Sequence, residues 1–171
     1  MDVLKNLKPG EIFRGASGRE YIVLENNCGT IKRSVMFLDK ERVCRKRFSV
    51  TDNKFDGSDL DRYLQEDHYN IIRSDFDNKV AEHEIDMFSA DGLDTYGKCK
   101  RKVSLLTLMM YQKYRRIIGH GTGWSWWLAT PWSTDEGIGA SYVACVGSGG
   151  DVGCDGYGFA CGVRPFFIVY L

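Results

Sequence analysis

What the sequence lacks narrows its possibilities first. Lys and Arg number 23 and Asp and Glu number 23, so the 171-residue chain carries no net charge. A basic field over the whole molecule, of the kind that seeks nucleic acid or an anionic membrane, is excluded. No apolar run approaches the ~20 residues that a spanning helix needs, so no membrane insertion is expected. Met1-Asp2-Val3-Leu4-Lys5 leads into Lys8-Pro9-Gly10 without the apolar stretch of a secretory signal, which predicts a cytoplasmic or virion-associated protein. Six cysteines occur without a Cys-x-x-Cys pair. Without a signal peptide these are expected to stay reduced thiols, and the missing Cys-x-x-Cys argues against a zinc site. Histidine is scarce: His68, His83 and His120 are scattered, no catalytic triad is fixed by them, and they read as surface or helix-end residues. Gly119-His120-Gly121-Thr122-Gly123 follows a predicted helix and lacks a Gly-Lys-Ser/Thr ending, which argues against nucleotide binding.

What is present is 43% hydrophobic and 27% charged, enough for a real core. The average conceals a division. Residues 1–118 hold 22 of the 23 basic and 19 of the 23 acidic residues. Residues 119–171 hold 12 of the 19 glycines, all 4 tryptophans and 3 of the 6 cysteines. The expectation is a single domain over 1–171, in which 1–118 is a scaffold and 119–171 a Gly- and aromatic-rich tail.

The opening reads as β, with Glu11-Ile12-Phe13 and Tyr21-Ile22-Val23-Leu24 around the loop Gly15-Ala16-Ser17-Gly18. A third strand is predicted within 30–38 and a short one at Phe48-Ser49-Val50. Ser58 can cap a helix with Asp61 as its capping-box partner. Leu60, Tyr63 and Leu64 share a face, so this helix runs about three turns to His68-Tyr69. Thr107 caps a second helix reaching Ile117. Ile85 to Ser89 and Val103 to Leu106 are short strand candidates. In the tail, Trp124 to Trp132 is aromatic strand material stopped by a proline, Ser141 to Val146 and Val152 to Phe159 are strands, and Gly162 to Leu171 is one nearly apolar run read as a buried core strand. The basic residues Arg42, Arg45, Lys46 and Arg47 and the pair Arg115-Arg116 read as solvated faces. The predicted class is α+β: two helices packed on mostly antiparallel strands, closed by a C-terminal core strand.

Trp126-Trp127-Leu128-Ala129-Thr130-Pro131, Tyr142-Val143, Gly149-Gly150-Asp151-Val152 and Gly162-Val163-Arg164-Pro165 together form a pattern. It resembles a family of small bacterial and phage domains whose tail reads W-W-L-R-S-P, Y-V, G-x-V and G-V-R-P. Leu60-Asp61-Arg62-Tyr63-Leu64 and Tyr69 are similar to that family's middle helix. Ala129-Thr130 departs from the usual Arg-Ser. The resemblance implies a C-type-lectin-like fold of the formylglycine-generating-enzyme-like branch, which says little of function because folds host many roles. Lectin-like domains of this branch also serve as variable proteins of diversity-generating retroelements, whose adenine-directed randomisation turns Asn-type codons into codons ending in a pyrimidine. Such codons cannot encode Lys, Glu, Gln, Met or Trp, and none of the five occurs in 137–163. The alternative is that a tight glycine-rich hairpin excludes long side chains. The sugar-binding loop of calcium lectins is absent and only four acids lie beyond residue 118, so no calcium site is expected. No cofactor is expected either.

The resemblance places Arg164 in the framework, paired with a buried carboxylate or with carbonyls. One of the adjacent Trp126 and Trp127 is expected to point inward, while Trp124 and Trp132 are partly exposed. A surface of aromatic, Gly and Ser residues is what paratopes use, with rigid anchors beside adaptable polar contacts. The expected ligand-binding face comprises Trp132, Ser133, Tyr142, Ser148, Asp151, Asp155, Tyr157 and Phe159. It would bind a protein or cell-surface receptor without doing chemistry. One alternative is an intracellular accessory protein of phage or host with one fixed partner. Another is a cysteine-based oxidase-like enzyme using Cys154 and Cys161, which requires a thiol of lowered pKa in a cleft.

Overall fold

The computed structural model describes residues 2–119 and 123–171, and His120, Gly121 and Thr122 lie outside them. A short helix α1 (Asp2–Asn6) precedes strands β1 (Ile12–Arg14), β2 (Glu20–Asn26), β3 (Ser34–Asp39) and β4 (Cys44–Arg47). A helical segment follows in three parts: α2 (Asp59–Tyr63), a π-helical turn (Leu64–His68) and α3 (Tyr69–Asp75). Strands β5 (Val80–Ala81), β6 (His83–Asp86), β7 (Lys98–Arg101) and β8 (Val103–Leu105) lead to α4 (Leu108–Ile118). The tail comprises β9 (Trp126–Pro131), a 3-10 turn (Ile138–Ser141), β10 (Tyr142–Val146), β11 (Val152–Gly156), β12 (Ala160–Val163) and β13 (Pro165–Tyr170). The architecture is α+β with mostly antiparallel sheets and few helices.

One sheet runs β1-β2-β3-β13-β5, with β8 also paired to β13; a second runs β11-β10-β9-β12-β4; β6 and β7 form a ribbon. Among the described residues every pairing is antiparallel except β9 with β12, which meet at Gly162 and Trp126. The apolar run at the C-terminus is two strands rather than the single one expected: β12 belongs to the second sheet and β13 to the first. Arg164 stands at the crossing. Its guanidinium is buried, donates to the carbonyls of Asp39 and Lys40 at 2.8 Å each, and lies 5.3 Å from the Trp126 ring. Pro165 opens β13, a strand position where a missing N–H is tolerated.

Trp126 and Trp127 are both buried, where alternation required only one of them to point inward. Their strand β9 is interior to its sheet and covered on both faces. Trp126 meets Tyr111 of α4 edge-on at 5.6 Å. Trp127 meets Phe48 at 5.7 Å and donates Nε1–H to the Lys46 carbonyl. Phe13, Tyr21, Phe37 and Phe167 of the first sheet and Phe76, which caps α3, form one aromatic cluster with centroids 5.0–6.3 Å apart.

The first long helix extends to Asp75, past the expected end at Tyr69. Its start is as the sequence indicates: Ser58 Oγ accepts from Asp61 N, and the Asp61 carboxylate returns to Gly57 N. Buried positions Leu60, Leu64, His68 and Ile72 recur every fourth residue. In a pure α-helix such a series drifts by about 40° per step. The wider π turn takes up that drift, keeping His68 on the core side, where Nε2 lies 2.9 Å from the buried Asp39 Oδ2. His68 is thus a core residue, not the helix-end residue expected. Asp75 closes the segment by accepting from the Ser17 backbone N–H, the Ser17 hydroxyl and the Tyr21 hydroxyl. Gly15 passes so close that a Cβ there would lie 2.4 Å from the Asp75 carboxylate. No helix of the described residues is long and apolar enough to cross a membrane.

Candidate functional site

The tail enters the candidate region where β9 ends. Pro131 O accepts from Ala90 N at 2.9 Å, Thr130 Oγ1 accepts from Leu108 N at 2.8 Å, and the Thr95 and Thr134 hydroxyls meet at 2.7 Å. These bonds strap the loop of residues 87–95 and the first turn of α4 to the strand end. The helix start is itself fixed, because Thr107 has extended backbone and its hydroxyl accepts from Met110 N. Between these walls lie two adjoining hollows. One of about 390 Å³ is lined by Ala90, Asp91, Leu108, Gln112, Trp132, Ser133, Gly139 and Val152. Its neighbour of about 260 Å³ shares Ala90, Leu108 and Gln112 and adds Asp86, Phe88, Ser89, Gly92, Thr107, Met109 and Thr130. Phe88, Met109 and Val152 are exposed there at 42%, 73% and 39%, an apolar surface of the kind that marks recognition sites. Asp91 is held below the usual carboxylate range by the Ser89 and Ser133 hydroxyls.

Of the expected binding residues, Trp132 and Ser133 line this groove. Tyr142 is tied to it through its backbone, since its carbonyl accepts from Trp132 N at 3.0 Å. The remaining residues are spread over the β10–β11 hairpin. Ser148 and Asp151 are exposed in its turn, where Gly147 N donates to Asp151 O. Asp155, Tyr157 and Phe159 sit at its other end. Asp155 pairs with Val143, and the Tyr157 carbonyl accepts from Phe48 N and Ser49 N. Phe159 is 67% exposed, with its ring over Gly156. A hairpin of this length separates its two ends by roughly 13 Å, so the eight residues form two groups rather than one patch. Trp124 is exposed and carries the Arg45 guanidinium 4.2 Å from its ring centre.

Against family models, characterised proteins and solved structures, the chain finds no match.

Two contributors to the groove lay beyond sequence reasoning. Asn53 is fully buried; its amide NH₂ donates to the carbonyls of Ser133 and Tyr142 at 2.8 and 2.9 Å, and its oxygen accepts from the Tyr96 hydroxyl at 2.7 Å. It clamps both ends of the loop that carries Trp132. The other is the loop with Phe88, Ala90 and Asp91, of which only Phe88 fell within a strand candidate. No spacing or composition marks either, because both act across more than 40 residues of chain.

The thiols of the tail are all shifted upward, opposite to the lowered pKa that the cysteine-based alternative requires. Cys161 is buried, accepts from the Ser125 hydroxyl and lies 3.4 Å from Asp155 Oδ2. Burial, with the Asp155 carboxylate added, pushes its thiol up to about 11. Burial pushes Cys145 up to about 12, and Cys154, though exposed, is raised in the same direction. All six cysteines are free. Among the described residues no three His, Cys, Asp or Glu side chains are grouped to hold a metal ion. A separate polar cavity of about 510 Å³ is lined by Glu25, His83, Lys100, Lys113 and Tyr114, among others. There Glu25 accepts from Lys113 and from the Tyr114 hydroxyl. His83 is buried in its wall, again not the surface residue expected.

Proposed function

We propose that this protein is a non-enzymatic binding module that engages a protein or cell-surface receptor through the groove walled by Trp132, Val152 and Leu108. The single observation that carries the reading is that groove: exposed apolar side chains gathered over hollows whose walls are fixed by backbone hydrogen bonds. A pre-ordered apolar surface loses little entropy on binding. The tail motif and the α+β, mostly antiparallel arrangement support reading the scaffold as C-type-lectin-like. The absence of Lys, Glu, Gln, Met and Trp from 137–163 supports diversification of the segment that contributes Gly139 and Val152 to the groove.

Two measurements test this. Titrating isotope-labelled protein with N-acetyl-tryptophan amide, followed by amide chemical shifts, should move Ala90, Leu108, Gln112, Trp132 and Val152 together. Shifts confined to the polar cavity around Glu25 and His83, or scattered over the surface, would remove the groove from consideration. Sequencing the gene's surroundings tests diversification. A reverse transcriptase gene and a near-copy of the segment for 137–163 mismatched only at adenines are expected. Their absence moves the weight to a fixed-partner accessory protein.

A further inference from the structure

Charge decides what kind of apolar partner the groove accepts. Among the described residues, its two hollows are lined by two ionisable side chains, Asp86 and Asp91, and by no Lys, Arg or His. Asp91 is exposed and accepts the Ser89 hydroxyl at 2.5 Å, which fixes its carboxylate at the rim without neutralising it. Asp86 accepts from Phe88 N and keeps Lys98 Nζ only at 3.9 Å. The acids continue along the chain beside the groove: Asp135 and Glu136 follow Ser133, and Asp151 precedes Val152, all three exposed. On α4, Arg116 stands one turn beyond Gln112, and Arg115 turns its guanidinium to the Gly119 carbonyl and against Gly150 at the hairpin turn; both lie outside the two hollows. The apolar floor therefore has an acidic rim.

Resting on the binding reading above, we infer that the groove's occupant is a polypeptide segment presenting apolar side chains flanked by Lys or Arg. Two adjoining hollows take two apolar anchors, and desolvating them supplies most of the affinity. The carboxylates at the rim add on-rate and specificity, rejecting acidic segments by like-charge repulsion. An anionic glycan or an acidic peptide does not fit this rim.

The test is a selection of random dodecapeptides displayed on phage against the immobilised protein, repeated with Trp132→Ala. Val152→Lys, at an exposed position, serves where Trp132→Ala alters the fold. The expected pool pairs apolar residues with Lys or Arg, is lost with either groove variant, and weakens with rising salt. Binding of its members should fall about fivefold in the Asp86→Asn/Asp91→Asn double variant, as expected for two rim charge pairs. A groove-dependent pool of neutral or acidic peptides overturns the inference and leaves the groove reading standing. A pool indifferent to Trp132→Ala and Val152→Lys overturns both. Sedimentation that finds self-association abolished by Val152→Lys assigns the groove to a second copy of this chain and also overturns the inference.

Discussion

His83 shows most directly how burial sets the behaviour of one side chain. Its ring lies 4.8 Å from Phe166, Nε2 is 3.2 Å from Ser104 Oγ, and 7% of the residue is exposed. Burial outweighs a small opposing effect of the Ala81 carbonyl and pulls the pKa from 6.5 down to about 4. The folded state thus prefers neutral imidazole. Above 6.5 neither state binds the proton and the full stability is present. Between 6.5 and 4 the unfolded chain takes up a proton that the folded chain refuses, so stability falls with pH, by about 3 kcal/mol in all. Urea unfolding across that range should give wild type a steeper loss than His83→Gln, which keeps a polar group toward Ser104. Parallel curves would mean that His83 titrates normally in the fold. Nothing in Glu82-His83-Glu84 announced the burial, because the acidic neighbours face solvent while His83 faces the core. The expectation for Arg164 came from the Gly162-Val163-Arg164-Pro165 pattern and its resemblance, and the side chain has the carbonyl partners expected of it.

At the scale of elements, the loop carrying Trp132 is held from a distant part of the chain. Asn53 bonds the carbonyls of Ser133 and Tyr142 and the Tyr96 hydroxyl, and no regular element does that work for it. Asn53→Ala leaves those buried groups without partners and should cost about 2–3 kcal/mol. The loss should be localised: amide hydrogen exchange should quicken over 132–142 and stay unchanged in β13, which has neighbours on both sides. A uniform change across both would show that Asn53 supports the whole fold and not the groove. Element types were legible wherever composition repeats at a fixed period, as in β2, β10 and α4. They were not legible where tertiary contacts decide. β4, with only basic residues after Cys44, is a strand because it pairs with β12. The C-terminal run divides because Arg164 has carbonyl partners at the crossing between sheets. The π turn follows from core positions spaced by four, a spacing that sequence periodicity assigns simply to helix.

Over the whole molecule, the tail is both core and surface, and that bears on why 137–163 lacks Lys, Glu and Gln. Of the 27 residues in 137–163, 8 are buried, Val143 to Val146 among them, and packing alone bars Lys, Glu and Gln there. Eleven others are exposed, including Ile138, Ser148 and Cys154, and nothing in the packing bars a long side chain from those three. If a cramped hairpin dictated the composition, Lys or Glu at these positions would strain it; if the codons dictated it, the fold would be indifferent. The triple variant Ile138→Lys/Ser148→Lys/Cys154→Glu should therefore fold and melt within ~2 °C of wild type, as exposed substitutions do. Ala144→Lys, in the interior of β10, should abolish the cooperative transition. Thermal unfolding followed by near-ultraviolet circular dichroism compares the two. A triple variant that melts far below wild type would make the composition a packing requirement and leave the diversified reading without its main support. One that melts with wild type leaves a scaffold whose exposed tail positions accept residues the sequence never uses, which is the property a diversified binding face requires.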